Sequence, residues 1–192
     1  MPGRRPGHVI RQRLLQAVDA SAEAELTLVC TPPGFGKTSL LAEWARQSTR
    51  SVVWLSLDRS DNDPIRFWRY MVTTLDTACP GLAAQFASLL SATSLPVTVL
   101  VGTLVNTLSA QSDQIVLVLD DYHLIDATLI HEGIGQLLER LPVQLRVVIG
   151  ARSDPPLPLA RLRARETGRA ACRRPPVHRG RSFRAPEGVG NG

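Results

Sequence analysis

The stretch LTLVCTPPGFGKTSLLAEWA, residues 26–45, decides the fold of this chain. Its first part, Leu26–Cys30, is a compact apolar run that ends in two prolines and a glycine, as a buried strand entering a turn does. Apolar residues then recur at helical spacing, at Leu40, Leu41 and Trp44. The pattern predicts a strand, a glycine-containing loop and a helix.

The loop between that strand and that helix is predicted to bind phosphate groups. Small residues let backbone N–H groups approach phosphate oxygens, and the N-terminus of the next helix adds donors and partial positive charge. Lys37 would reach the β- and γ-phosphates of ATP, and the Thr38 hydroxyl would ligate Mg²⁺. The strict motif has glycine where Thr31 stands, so a chance match stays open. The predicted nucleotide-binding residues are Pro33, Gly34, Phe35, Gly36, Lys37, Thr38 and Ser39.

A second apolar strand, Ile115–Leu119, delivers Asp120 and Asp121 to its carboxyl end. Ligands of open α/β sheets bind at that edge. We expect Asp120 to hold Mg²⁺, directly or through water, and Asp121 to orient or deprotonate an attacking water. The alternative is a solvated turn that happens to carry two acids. The two motifs in this order, each after its own strand, favour the nucleotide interpretation.

Two further side chains follow predicted strands. Arg152 comes after the apolar run Leu145–Gly150 and could approach the γ-phosphate, where a guanidinium stabilises transferred charge. An ordinary surface arginine is the alternative. His123 either relays nucleotide state or packs at the strand end. His131 and His178 have no partner in the sequence that suggests a metal site.

The rest of the pattern alternates strands with helices. A strand is predicted at Ser51–Leu57, and helices at 9–20, from Pro64 onward, at 82–90, 97–108 and 129–141. This alternation predicts an α/β fold of three layers, a parallel sheet flanked by helices. Five aromatic residues could stack on bases, but most of them have the spacing of core residues, which is the favoured interpretation: Trp44, Trp54, Phe67, Trp68 and Tyr70.

Composition narrows the class of protein. The 192 residues have a formal net charge of +5, but much of the arginine excess lies at the two ends, so charge alone does not imply DNA binding. Cys30, Cys79 and Cys172 lack the paired spacing of a zinc site or disulfide framework and are predicted to be ordinary thiols. Ordinary thiols fit a reducing cytoplasm best. No apolar run approaches the roughly 20 residues of a membrane span, so a soluble protein is expected.

Four segments together resemble the N-terminal ATPase domain of large LuxR-type transcriptional regulators, the maltose-regulon activator group of the STAND class of P-loop NTPases. They are TPPGFGKTSLLAEWA (31–45), VVWLSLDRSDNDPIRFWRY (52–70), VLVLDDYHLID (116–126) and GARSDPPLPLARLRAR (150–165). The resemblance covers roughly residues 9–165. It also accommodates Thr31, because the first glycine of the strict motif is often absent in that family.

The resemblance implies a function. ATP binding favours an oligomerising active state in that family, and slow hydrolysis resets it. Gly34, Gly36, Lys37 and Thr38 match the phosphate loop, or Walker A motif; Asp120 and Asp121 match the Walker B acids; Arg152 matches the sensor arginine. The expected ligands are ATP or ADP with Mg²⁺, self-association would occur through this domain, and DNA would be bound only by a C-terminal domain. The alternative function is a non-catalytic interaction fragment with a degenerate nucleotide site.

Three regions are expected: a lead-in helix at 1–25, the P-loop NTPase domain at 26–165 and a basic low-complexity tail at 166–192. The family continues for several hundred residues, beginning with an apolar strand where this chain has arginine and proline. We therefore expect a sheet without its last strand, and a tail that is disordered or out of frame. A frame shift near Glu166 is the hypothesis; it fails if no other frame of the DNA restores an apolar strand followed by helices.

Overall fold

The computed structural model describes residues 12–91 and 96–164, with side chains to residue 161. Four strands form one sheet: β1 (Leu26–Cys30), β2 (Ser51–Ser56), β3 (Ile115–Asp120) and β4 (Leu145–Ala151). Seven helices accompany them: α1 (Gln12–Ser21), α2 (Lys37–Gln47), α3 (Pro64–Asp76), α4 (Leu82–Leu90), α5 (Val97–Ser109), α6 (Thr128–Glu139) and α7 (Leu159–Ala164). Short 3₁₀ helices occupy Arg59–Asn62 and Tyr122–Leu124. None of the helices in these ranges is long and apolar enough to cross a membrane.

All the strand pairings are parallel, in the order β1-β4-β3-β2. Strand β4, the last of the described strands along the chain, therefore lies between β1 and β3. Within the described ranges β1 pairs only with β4 and forms one edge of the sheet. The register places Cys30 beside Ala151 and Ser56 beside Asp120, so the carboxyl ends of the strands meet along one edge.

The sheet is buried on both faces, as its apolar sequence predicts. Alternate residues of β3 point to opposite sides: Leu117 and Leu119 join the core under α3 to α6, whereas Val116 and Val118 join the core under α1 and α2. The three-layer α/β fold predicted from the sequence is confirmed. Among the aromatic residues, Trp44, Trp54, Phe67 and Trp68 are buried, whereas Tyr70 is exposed.

Helix α3 begins where the sequence signals place it. The Asp63 side chain accepts a hydrogen bond from the backbone N–H of Arg66 at 2.7 Å, and Pro64 takes the first helical position, where the missing N–H costs nothing. Helix α1 begins at Gln12, inside the predicted lead-in helix, whose residues 9–11 lie outside the described ranges. The tail at 166–192, with Cys172 and His178, also lies outside them, so what the sequence indicates for the tail stays a prediction.

Candidate functional site

The loop between β1 and α2 has the backbone that its glycines predict. Gly34 and Gly36 both have positive φ, 82° and 72°. A Cβ at Gly34 would meet nothing within 4 Å, so the backbone conformation and not the space requires glycine there. Gly36 is the N-cap of α2 and has no side chain to accept from the first amides of the helix. The start of α2 therefore presents uncapped N–H donors, which suit an anion.

Lys37 is the first residue of α2, and its ammonium group meets the acids at the end of β3. Its Nζ lies 2.8 Å from Asp121 Oδ1 and 3.1 Å from Asp120 Oδ1. The Lys37 and Asp120 side chains are 8% and 2% exposed, so this contact is buried, whereas Asp121 is 40% exposed. The two motifs separated by more than 80 residues in sequence thus form one cluster, with the lysine positioned between two carboxylates.

Asp121 has an unusual backbone for a residue with a side chain. Its φ of 57° and ψ of 32° are left-handed, and it is the one non-glycine residue with positive φ in the described ranges. Aspartate and asparagine tolerate this region better than most residues. The Asp121 N–H donates to Asp120 Oδ1 at 3.0 Å, which holds the buried carboxylate in place. This turn directs both acids toward Lys37.

Gly150, near the end of β4, completes the site and was missed by the sequence reasoning. A Cβ there would lie 2.8 Å from Asp120 Oδ1, 3.2 Å from Leu41 Cδ1 and 3.3 Å from Lys37 Cδ. Gly150 has no side chain at the point where the Lys37 and Asp120 side chains pass close to the backbone of β4. A single glycine inside an otherwise apolar strand is the signal that could have indicated this close approach.

The other predicted nucleotide-binding residues surround this cluster without making its ion pairs. Thr38 and Ser39 are half-buried in the first turn of α2, where their backbone N–H groups belong to the uncapped set. Pro33 is exposed, and Phe35 is 47% exposed on the outside of the loop. Thr31, at the position of the motif's first glycine, is 4% exposed.

Arg152 follows β4, but the structure does not bring it into the ion-pair cluster. Its side chain is exposed and makes no ion pair with a described residue. It is close enough to His123 to act on it electrostatically. Burial lowers the pKa of His123, and the positive charges of Arg152 and Lys37 lower it further.

His123 lies between the acids and a neighbouring cleft. Its Nδ1 is 3.9 Å from Asp121 Oδ1, and neither ring nitrogen has a hydrogen-bond partner among the described residues. His131, by contrast, pairs with the hydroxyl of Tyr122 at 2.9 Å. An imidazole with both nitrogens buried and without hydrogen-bond partners among the described residues suits either of the two roles predicted from the sequence, which remain open.

Asn62 fixes the loop that follows the acids, a contact that the sequence does not reveal. Its Nδ2 donates to Leu124 O at 2.8 Å, and its Oδ1 accepts from the N–H groups of Asp126 at 2.6 Å and Ala127 at 3.0 Å. One side chain after β2 therefore satisfies three backbone groups after β3. The segment that carries Asp121 and His123 is clamped at its far end.

The residues present fit a nucleotide with a divalent cation. The loop with left-handed glycines and the uncapped start of α2 suit phosphate oxygens, and the Lys37 ammonium group supplies positive charge. The Thr38 hydroxyl and the buried Asp120 carboxylate are hard oxygen donors of the kind that Mg²⁺ takes. Mg²⁺ is usually held by one or two protein ligands with water and phosphate completing the shell, which matches Thr38 and Asp120 as a donor set.

Residues 20–159 match the AAA domain family, and the chain therefore belongs to that family. More particularly, it is similar to the N-terminal part of the HTH-type transcriptional regulator MalT. Identity is 38% to the Serratia proteamaculans protein and 34% to the Vibrio cholerae protein, each over 174 residues and 86% of this chain. The chain spans 18% of the length of these relatives. The family resemblance stated from the sequence is confirmed.

Solved structures show more distant likeness. The Walker-type ATPase of Pyrococcus abyssi has a TM-score of 0.46 and 12% identity, with 79% of this chain and 48% of that chain covered. C. elegans PCH-2 has a TM-score of 0.41 and 13% identity, with 79% and 38% covered.

Proposed function

We propose that this chain is the ATP-binding switch domain of a LuxR-type transcriptional regulator. The observation that carries the proposal is the contact of Lys37, at the start of α2, with both acids at the end of β3, at 2.8 and 3.1 Å. A phosphate loop acts with its lysine on the phosphates and with a strand-end acid on the metal, and a lysine and such acids lie within one cluster here. Residues 26–165 are the proposed NTPase domain, preceded by the lead-in region 1–25 and followed by the tail 166–192.

The residues of the candidate site would act on the phosphates, the metal ion and the attacking water. Residues 33–39 would bind the phosphates, with Lys37 on the β- and γ-phosphates. Thr38 and Asp120 would ligate Mg²⁺, and Asp121 would orient or deprotonate the attacking water. Arg152 would approach the γ-phosphate from the end of β4. When bound, Mg²⁺ would neutralise part of the phosphate charge.

The ion pairs of Lys37 favour a switch over a fast enzyme. The lysine must leave two carboxylates, one of them buried, before it can bind phosphate, so nucleotide entry changes the contacts of the β3 acids. Hydrolysis is proposed to be slow, and the nucleotide state to control self-association. A cytoplasmic location, and DNA binding only through a further domain, complete the proposal.

The chain contains one lysine, Lys37, which makes a direct test possible. Mass spectrometry after treatment with an acylating reagent measures modification of the Lys37 ε-amine. The N-terminal amine is the other amine that can react. We expect Mg²⁺ with ATP to slow acylation of Lys37 and not of the N-terminus. Titration calorimetry on the unmodified protein should detect binding of ATP with Mg²⁺, and Lys37→Ala should abolish that binding.

Arg46→Ala is the matched control for Lys37→Ala. It removes a positive charge from the same helix, but that charge pairs with Glu43 at 2.6 Å and not with the β3 acids. Equal loss of ATP binding in both variants would contradict the proposed role of Lys37. A folded wild-type chain that binds no nucleotide would overturn the proposal and favour the interaction fragment with a degenerate site.

A further inference from the structure

A second cleft opens beside the candidate site, on the face of the sheet that α6 covers. Its volume is about 830 Å³. One wall is α6, and the other is the segment 153–161 that follows β4 and enters α7. His123 lines one end of the cleft, which places it next to the acids without including Lys37, Asp120 or Asp121. The proposed nucleotide contacts therefore do not use it.

Acidic side chains dominate the charge of this cleft. Four carboxylates line it, against one guanidinium, that of Arg161. The two histidines in the lining have pKa values lowered by burial, so neither offsets the negative charge at neutral pH. All four carboxylate residues are exposed or half-buried, and they are Asp126, Glu132, Asp154 and Glu139. The lining favours a cationic occupant.

The shape and apolar part of the lining suit an arginine-bearing peptide. Three prolines, Pro155, Pro156 and Pro158, form much of the wall opposite α6. Such a surface packs against the methylene stem of an arginine while the carboxylates face its guanidinium. One arginine already pairs with a carboxylate of the cleft: Arg161 Nη1 of α7 lies 3.9 Å from Glu139 Oε1 of α6, although the Arg161 side chain is 83% exposed.

We propose that the cleft binds an arginine-rich segment, and that its occupant is residues 165–192 of this chain. That segment contains seven arginines and two glutamates. Helix α7, whose Arg161 lines the cleft, ends at Ala164, so the segment starts at the rim of the cleft. Attachment to α7 gives it a high effective concentration there. Each exposed ion pair is weak, and several together hold the segment.

The natural Cys172 provides a trap for this contact. It lies eight residues beyond Ala164, which allows a reach of at most about 28 Å. Gln136 is a half-buried residue of α6 in the cleft lining, and Gln136→Cys in the full chain would offer a partner thiol. We expect mild oxidation to form the 136–172 disulfide within one chain, identified by peptide mapping.

The matched control keeps the thiols and the tether and removes only charge. Asp126→Asn with Glu132→Gln in the Gln136→Cys background should slow disulfide formation about five- to tenfold, because two favourable charge pairs are lost. Raising the salt to about 1 M should slow the parent in the same direction, since the Debye length falls to about 3 Å. Circular dichroism shows that each variant is folded.

Three results would overturn the proposal. Equal disulfide rates with and without the carboxylates would mean that the tether alone brings Cys172 to α6. A disulfide that joins two chains, at a rate that rises with protein concentration, would assign the cleft to a second copy. Trypsin gives a readout without new cysteines: cleavage after Arg169 and Arg173 should be faster in the Asp126→Asn, Glu132→Gln variant than in the native chain, and equal rates would also contradict docking.

Discussion

Replacing Gly150 with alanine tests how closely β4 packs against the proposed phosphate site. The new Cβ would lie 2.8 Å from Asp120 Oδ1, where ordinary contacts begin near 3.4 Å. Asp120 cannot move freely, because its carboxylate accepts from the Asp121 N–H at 3.0 Å and contacts Lys37 Nζ at 3.1 Å. Leu41 Cδ1 and Lys37 Cδ, at 3.2 and 3.3 Å, close the other sides. The methyl group must displace at least one of these groups.

The expected cost follows from two opposing effects. Overpacking a buried position costs about 1–3 kcal/mol, and alanine recovers about 0.5–1 kcal/mol relative to glycine within a strand. The net loss in the free energy of unfolding is about 1–2 kcal/mol, which lowers Tm by about 3–6 °C in a protein of this size. A shifted Asp120 carboxylate should also weaken binding of Mg²⁺ with ATP about tenfold, equivalent to about 1.4 kcal/mol.

Thermal unfolding by circular dichroism and titration calorimetry measure the two effects. Gly102→Ala is the matched control, because its Cβ would meet nothing within 4 Å and it lies inside helix α5. That variant should gain about 0.5–1 kcal/mol and bind nucleotide as the native chain does. If Gly150→Ala matches Gly102→Ala in both Tm and affinity, the close packing of β4 against Asp120 and Lys37 is refuted.

Three further variants test other parts of the site. Asn62→Ala should lower the free energy of unfolding by about 2 kcal/mol in urea titrations, because three backbone groups lose their partner; a loss under about 0.5 kcal/mol would contradict the clamp. Burial holds the pKa of His123 in the folded chain below its value in the unfolded chain. The unfolded chain therefore binds the proton more readily, and the free energy of unfolding falls as pH drops through about 6.5 and below. His123→Gln should therefore flatten the fall in Tm between about pH 7.5 and 5.5, and an unchanged slope would exclude His123 as its source. Asp121→Asn keeps a residue that tolerates left-handed backbone and removes one charge beside Lys37, so ATP should bind more tightly while phosphate release slows; weaker binding would show that Asp121 does not compete with phosphate for the lysine.

The strands and the glycine-containing loop between β1 and α2 could be predicted from the sequence because their signals are local. Leu26–Cys30 and Ile115–Leu119 are short apolar runs that end in turn residues or acids, and Gly34 and Gly36 occupy positions that require positive φ. The fold class follows from the alternation of these strands with helices. The structure confirmed these strands to within about one residue of their predicted ends.

The contacts between segments could not be predicted in the same way. Nothing in the local pattern of Leu145–Gly150 indicates that β4 lies between β1 and β3, and without that order the role of Gly150 cannot be seen. Asn62 lies in a stretch with the composition of a turn, and its hydrogen-bond partners lie more than 60 residues further along the chain. Such hydrogen bonds depend on the final packing and leave no periodic signal in the sequence.

The position of β4 in the sheet determines when the candidate site can form during synthesis of the chain. Because β4 separates β1 from β3, Lys37 and Asp121, which are 84 positions apart, meet across a strand that is synthesised after both of them. Closing loops of this length is slow compared with forming local contacts. In a chain emerging from the ribosome, the proposed phosphate site is incomplete until residue 151 is available for pairing. Nucleotide captured at that moment favours the finished domain over every partly folded form, in proportion to its concentration relative to its Kd.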